Sequence, residues 1–323
     1  MKVARTYVGK SLQIVYLVCF SSFFWTTLKF LPPSNDGGSN HFDATGCTER
    51  LDKLEERFNQ RRKARIDALP GTNLTKLSEI NPSQKISVFD AFEPEASCFA
   101  EERFGSKSAI RFNSFGDGPK FICGVDNIAN KEYARKQNFD AEPSLPCLVY
   151  SVGSKNEIEF EKAVHHFLGC ETHTFDPTLE EEFKGHEYAV FHPWGIGLDG
   201  EQHEVGKHSF ISRSLQTIIA QLGHTKRTID ILKIDCEGCE YRAMPLLFDL
   251  IAKKELQINQ IQIELHETDF DQVTKFFEAG DKAGMRIFHK ERNAWGCQGY
   301  LCVEYSLITE SFLREVNKGE VCG

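Results

Sequence analysis

The sequence predicts an α/β fold: a mostly parallel sheet with helices on both faces. Three observations predict it. From Cys147 onward, apolar runs of strand length alternate with amphipathic runs of helix length. The late runs at Arg286–His289 and Tyr300–Leu307 follow each other without a helix between them, as an added antiparallel edge would. Three of the apolar runs stop abruptly in polar or acidic residues: Val152-Gly153-Ser154, Phe175-Asp176-Pro177 and Ile234-Asp235-Cys236-Glu237. In open α/β sheets, ligands bind beyond the carboxyl ends of the strands, so residues placed there face a site.

The elements preceding the sheet are of another kind. Lys2, Arg5 and Lys10 flank an uncharged run from Leu12 to Thr27, which Phe30 and Leu31 extend past Lys29. This is about one bilayer crossing with its basic flank on the cytoplasmic side. The expected order is a cytoplasmic tail at 1–10, a signal-anchor transmembrane helix at 11–31, a lumenal linker and stem at 32–87, and the compact domain at 88–323. A cleaved signal peptide is the alternative. The stem includes a helix over 48–68, with Leu51, Leu54 and Phe58 at helical spacing. Asn73-Leu74-Thr75 is a glycosylation sequon. Of the 11 cysteines, Cys19 falls in the apolar run, which leaves an even number for disulfides. Cys123–Cys147 is the first choice of pair, with Cys98, Cys297, Cys302 and Cys322 as other partners. These features predict a single-pass type II membrane protein of the Golgi or endoplasmic reticulum lumen, or else a secreted one.

Within the domain, strands are expected at Cys147–Val152, Thr172–Phe175, Tyr188–His192, Ile229–Ile234 and Ile261–Leu265. Helices are expected at Glu157–Leu168, Leu215–Leu222, Tyr241–Ala252 and Phe270–Ala283. The net charge of -9 argues against a nucleic-acid partner, because phosphate binding needs a basic face. Oligomeric state is not legible.

The candidate site is read strand end by strand end. Gly153, at the first strand-to-helix turn, lets the backbone approach a ligand closely, and Ser154 follows it. No G-x-G-x-x-G is present, which disfavours a dinucleotide pyrophosphate. Asp176 ends the second strand, where ribose hydroxyls are held in nucleoside-binding folds; an Asx-turn is the plainer role. His192 and Trp194 follow the third strand, either over a purine or simply packed. Asp235 and Glu237 end the fourth, and Glu264 and His266 the fifth. Glu240 reads as a first-turn acid countering the helix dipole. Lys233 reads as turned outward or snorkelling at a sheet edge.

In order, LVYSVGS, Phe160-Glu161, HTFDPT, FHPWGIG, DILKIDCEGCE and QIQIELHE resemble the animal methyltransferase-like proteins related to the FkbM methyltransferases. The resemblance covers roughly Lys120 to Tyr305. It implies a Rossmann-like fold that binds S-adenosylmethionine, with Gly153 and Ser154 along the methionine and ribose side, Asp176 on the ribose hydroxyls, and Asp235 beside the methyl donor with Glu237 adjacent. Asp235, Glu237, Glu264 and His266 are then the catalytic candidates for removing the acceptor's proton. It further implies transfer to oxygen, and the expected compartment favours a glycan or another secretory-pathway acceptor. Ser151 and Glu157 stand where FkbM enzymes usually carry an Asp and a second Gly, so an inactive ligand-binding protein is an alternative.

Other readings are weaker. A divalent cation bridging Asp235, Glu264 and a substrate diol is possible chemistry but not expected. Cys236 and Cys239 form a C-x-x-C, yet the neighbouring acids would raise the thiol pKa, which favours a structural pair over redox chemistry. Asp269-Phe270-Asp271 is formally the D-x-D of a glycosyltransferase, but Asp269 sits where a helix cap belongs. The chain lacks the G-x-S-x-G of a serine hydrolase.

Overall fold

The computed structural model describes residues 44–68, 87–105, 118–129, 146–179, 183–266, 268–294, 296–297 and 301–322. The predicted anchor at 11–31 and the sequon at Asn73 lie outside these residues. No helix among the described residues is long and apolar enough to cross a membrane.

A seven-stranded sheet forms the centre. Its strands are β3 (Leu148–Val152), β4 (Glu171–Phe175), β5 (Val190–His192), β9 (Ile229–Ile234), β10 (Ile258–His266), β11 (Met285–Arg292) and β12 (Cys302–Thr309). The spatial order is β11-β12-β10-β9-β3-β4-β5. β3, β4, β5, β9 and β10 pair in parallel. β12 is antiparallel to both β10 and β11. The late pair forms the expected antiparallel edge, in which β12 is the reversed strand and lies beside β10. β11 runs with the parallel strands and forms the edge.

The chain builds outward from β3 to β5, then returns to β9 on the other side of β3. The point where that order reverses is where α/β sheets bind ligands. Every residue of β3 and of β9 is buried, as expected of parallel strands covered on both faces. One face is sealed by α3 (Leu215–Gln221), α4 (Glu240–Ala252) and α5 (Phe270–Lys282), with Leu232, Phe248, Ile263 and Phe276 in one core. The other is covered by the hairpin of β1 (Glu101–Phe104) and β2 (Lys120–Cys123), by the short α2 (Glu159–Ala163) and by α6 (Glu310–Cys322). β2 is docked by buried amides rather than by a sheet ladder. Gln260 binds both the amide and the carbonyl of Cys123 at 2.9 Å, and Gln262 donates to the Phe121 carbonyl. Buried polar groups need such partners.

The helix expected in the stem is α1 (Ala44–Ala68), and it belongs to the compact unit, which begins at Asp43 rather than near Val88. Its periodic Leu51 and Phe58 are buried, Arg65 pairs with Glu95 and Asp281, and Cys47 is disulfide-bonded to Cys322. A small sheet of β6 (Gly195–Ile196), β7 (Gln202–Val205) and β8 (His208–Arg213) extends beyond β5.

The remaining disulfides are Cys98–Cys123, Cys147–Cys170, Cys236–Cys239 and Cys297–Cys302. The expected Cys123–Cys147 pair is not formed. Cys123 faces Glu101 across the β1–β2 hairpin, which brings Cys98 to it. Cys147 and Cys170 immediately precede the paired strands β3 and β4.

Candidate active site

Gly153 and Asp235 meet at the reversal point. Gly153 has φ +73°, and a Cβ there would collide with the carbonyl oxygen of Asp235. Only glycine lets the two strand ends approach this closely. Lys233 is not turned to solvent, as its alternation suggested, because β9 is a central strand. It is buried, and its Nζ donates to the Gly153 carbonyl at 2.8 Å. The turn continues through two further left-handed residues, Lys155 (φ 50°) and Asn156 (φ 63°).

Asp176 ties that turn down. Its Oδ2 accepts from the amides of Ser154 at 3.1 Å and Lys155 at 2.9 Å. Its Oδ1 accepts from the Thr178 amide at 2.9 Å and hydroxyl at 2.6 Å, which is the Asx-turn. These four bonds fill a carboxylate's acceptor sites. The Ser154 hydroxyl, by contrast, is buried without a hydrogen-bond partner among the described residues.

His192 sits in an aromatic stack at the end of β5. Its ring lies parallel to Phe175 and to His173 and 4.5 Å from Trp194, over which Arg213 is placed at 4.2 Å. Burial first, then the neighbouring His173 and Arg213, depress the imidazole to about 4 and keep it neutral. Trp194 is a packed tryptophan in this arrangement.

Asp235 and Glu264 come together with a third acid, Glu304. Their oxygens lie within 4.8 Å of one another. Lys120, delivered by β2, enters this group: its ammonium pairs with Glu304 and lies 3.8 Å from Asp235 Oδ2. Burial pulls the lysine pKa down, but Glu304 and Asp235 outweigh it and keep the ammonium charged. For Asp235, burial alone would raise the carboxyl. Lys120, then Lys233 and a hydrogen bond from Glu264, outweigh that and hold it below its usual range. Glu264 goes the other way. Burial, then the charge of Asp235, pushes it to about 8. Asn293 donates to its Oε1 at 2.8 Å. Within this group Asp235 and Glu264 thus form a pair at neutral pH, one carboxyl ionised and the other protonated, that shares a proton. Among these residues the cation that the acids surround is Lys120.

His266 and Glu237 lie on the far side of Glu264. The His266 Nδ1 is 2.9 Å from Glu240 Oε1, and its Nε2 is 3.1 Å from Glu237 Oε2. The Glu240 hydrogen bond, against the opposing effect of burial, raises the imidazole to about 9. Glu240 is the first-turn acid that the sequence predicts, and it also pairs with His266. It is wholly buried, with its carboxylate against His266. Glu237 has φ 54° and an exposed side chain. The Cys236–Cys239 disulfide closes the turn between β9 and α4. Asp269 caps α5 by accepting from the Gln272 amide at 2.9 Å, and Asp271 pairs with Lys275 on the same helix.

The structure thus gathers Gly153, Ser154, Asp176, Asp235, Glu264 and His266 along adjoining strand ends. Lys120, Asn293 and Glu304 were missed. Lys120 and Glu304 stood in the sequence as lone charges in apolar runs, Phe121-Ile122 after one and Tyr305 after the other, and a buried charge implies a partner. Asn293 had no such signal.

Over residues 52–309 the chain matches the family described as methyltransferase domain. The probable methyltransferase-like protein 24 of Rattus norvegicus is 26% identical over 171 residues, which are 51% of this chain and 43% of that protein. The chain thus matches less than half the length of that relative. Two solved structures are similar at low level. The 1,6-didemethyltoxoflavin-N1-methyltransferase of Burkholderia thailandensis has 11% identity and a TM-score of 0.31, over 57% of this chain and 77% of that one. A TehB-like methyltransferase of Corynebacterium glutamicum has 10% identity and a TM-score of 0.32, over 58% and 98%. Scores this low add nothing to the argument. The match over 52–309 spans most of the compact unit and the whole candidate site, and the chain belongs to the methyltransferase-domain family.

Proposed function

We propose that this protein is an S-adenosylmethionine-dependent methyltransferase whose acceptor is an oxygen nucleophile, such as a glycan hydroxyl. The observation that carries this is the seating of the Gly153 turn against Asp235 at the reversal point of the sheet. The cofactor supplies an electrophilic methyl group. The residues present fit it. The Ser154 hydroxyl is buried and unpartnered, the His192–Trp194 stack offers an aromatic wall, and an ionised Asp235 stands beside the turn.

Asp176 serves the cofactor chiefly by fixing the turn. Its Oδ1, where Thr178 now donates, would be the atom to hold a ribose hydroxyl. The catalytic requirement is to align the acceptor and remove its proton. Asp235 and Glu264 act as a pair: Lys120 keeps Asp235 ionised, and the pair takes the proton when Glu264 has released its own. His266, held as a cation by Glu240, places a positive charge beside Glu237 at the edge of the site. The FkbM resemblance favours oxygen as the acceptor atom. The basic flank and apolar run at the N-terminus, the sequon at Asn73 and the five disulfides favour a type II protein of the secretory lumen.

The test is transfer of a labelled methyl group by the purified protein to mixed secretory glycans. Label should enter the glycans and be lost in Asp235→Asn. Label entering protein or lipid fractions instead would refute the glycan acceptor.

A further inference from the structure

A second polar cluster lies toward the amino end of β4 and adjoins the candidate active site only through His192. Glu171 and His173 alternate onto one face of β4, and Tyr150 pairs with His173 on β3. The turn after α3 brings His224 over them. Glu171 Oε1 is 2.9 Å from His173 Nε2 and 3.2 Å from His224 Nε2, and the three atoms lie within 4.8 Å of one another.

Tetrahedral ligands on bonds of about 2.0–2.1 Å stand roughly 3.3 Å apart, so this spacing suits a zinc-sized ion. The outer contacts suit it as well. His173 Nδ1 is 2.9 Å from His192 Nε2, and His224 Nδ1 is 2.7 Å from the Tyr150 hydroxyl. Each imidazole thus has a partner for its second nitrogen, which sets the tautomer of a metal-bound histidine. Arg227 holds the other oxygen of Glu171 at 2.6 Å and so fixes the carboxylate. The two histidine side chains are 8% exposed but Glu171 is 30% exposed, which leaves one open side for a water or fourth ligand.

We propose that Glu171, His173 and His224 form a binding site for a divalent transition metal of the zinc type. Two imidazoles with one carboxylate suit zinc, whereas calcium and magnesium favour all-oxygen sites. Without metal, both Nε2–H groups donate to one Glu171 oxygen. With metal, those nitrogens are bare and the Nδ1–H groups donate to His192 and Tyr150. The ion ties β4 to the turn after α3, so its role is structural. Its three ligands are distinct from the residues assigned to methyl transfer, and His192 is the one residue that touches both.

The experiment is calorimetric titration of the full, chelator-stripped protein with zinc chloride. One equivalent should bind. His173→Asn and His224→Gln should each weaken binding at least about tenfold. A change of the exposed His165 and His166 to Asn should leave it unaltered. Cobalt should give visible bands in the parent and none in the two variants. No zinc uptake by the parent, or undiminished binding in both variants, overturns the proposal. If a variant fails to fold, cobalt broadening of the parent's histidine NMR signals decides. Broadening centred on His173 and His224 supports the site, and broadening centred elsewhere overturns it.

Discussion

Gly153 is packed so closely on the main chain of Asp235 that no side chain fits between them. Gly153→Ala should therefore do two kinds of damage. It places a Cβ at φ +73° and drives it into backbone that cannot move aside. Left-handed strain and overpacking each cost about 1–3 kcal/mol. A melting curve should show a large fall in Tm. An unchanged Tm would mean that the turn adopts another arrangement.

The site should respond to pH in two opposite ways. Glu264 keeps its proton to about 8, so methyl transfer should rise as pH passes through that value. Glu264→Gln should abolish this limb. Stability should fall over the same range. The folded Glu264 retains a proton that the unfolded chain gives up near 4.5, and the folded His266 retains one from 6.5 to about 9. In both cases the folded state binds more protons, so stability is lost as pH rises between those limits. Tm measured at pH 6 and pH 9 checks this, and a higher Tm at pH 9 would contradict it.

Asp235→Asn removes charge and basicity at nearly constant volume. Transfer should drop about a hundredfold or more, the scale of general-base loss. Removing the negative neighbour also lowers Glu264, so any residual activity should have its pH limb shifted to the acid side. A rate profile with the limb unmoved would separate the two carboxyls.

Glu240→Gln tests a burial that the sequence concealed. The variant leaves His266 without its charged partner, at a cost of about 1–3 kcal/mol. The His266 signal in NMR titration should move down from about 9. An unshifted titration would show that Glu237 alone sustains it.

The parallel sheet was readable because its strands are short apolar runs with polar ends, and Ile229–Ile234 was bounded to the residue. The register of side chains around the site was not readable. Lys233 looked like an outward residue because a period of two does not reveal that both faces are covered. Glu240 was legible as a helix-end charge, but its burial against His266 has no signature in the local sequence. Lys120 reaches Asp235 across 115 residues of chain only through the docking of β2 on Gln260 and Gln262, a tertiary contact without local signature. The α1 helix was visible, but its attachment depends on Cys322 and Asp281 at the distant end of the chain.

The most direct measurement is calorimetry of the purified protein with S-adenosylmethionine and, separately, with a nucleotide sugar. The account predicts one saturable site for S-adenosylmethionine and no heat with the nucleotide sugar. Asp176→Ala should bind at least about tenfold more weakly, because removing the anchor of the turn forfeits charged hydrogen bonds of about 1.5–3 kcal/mol each. Failure to bind S-adenosylmethionine, or preference for the nucleotide sugar, would contradict the account.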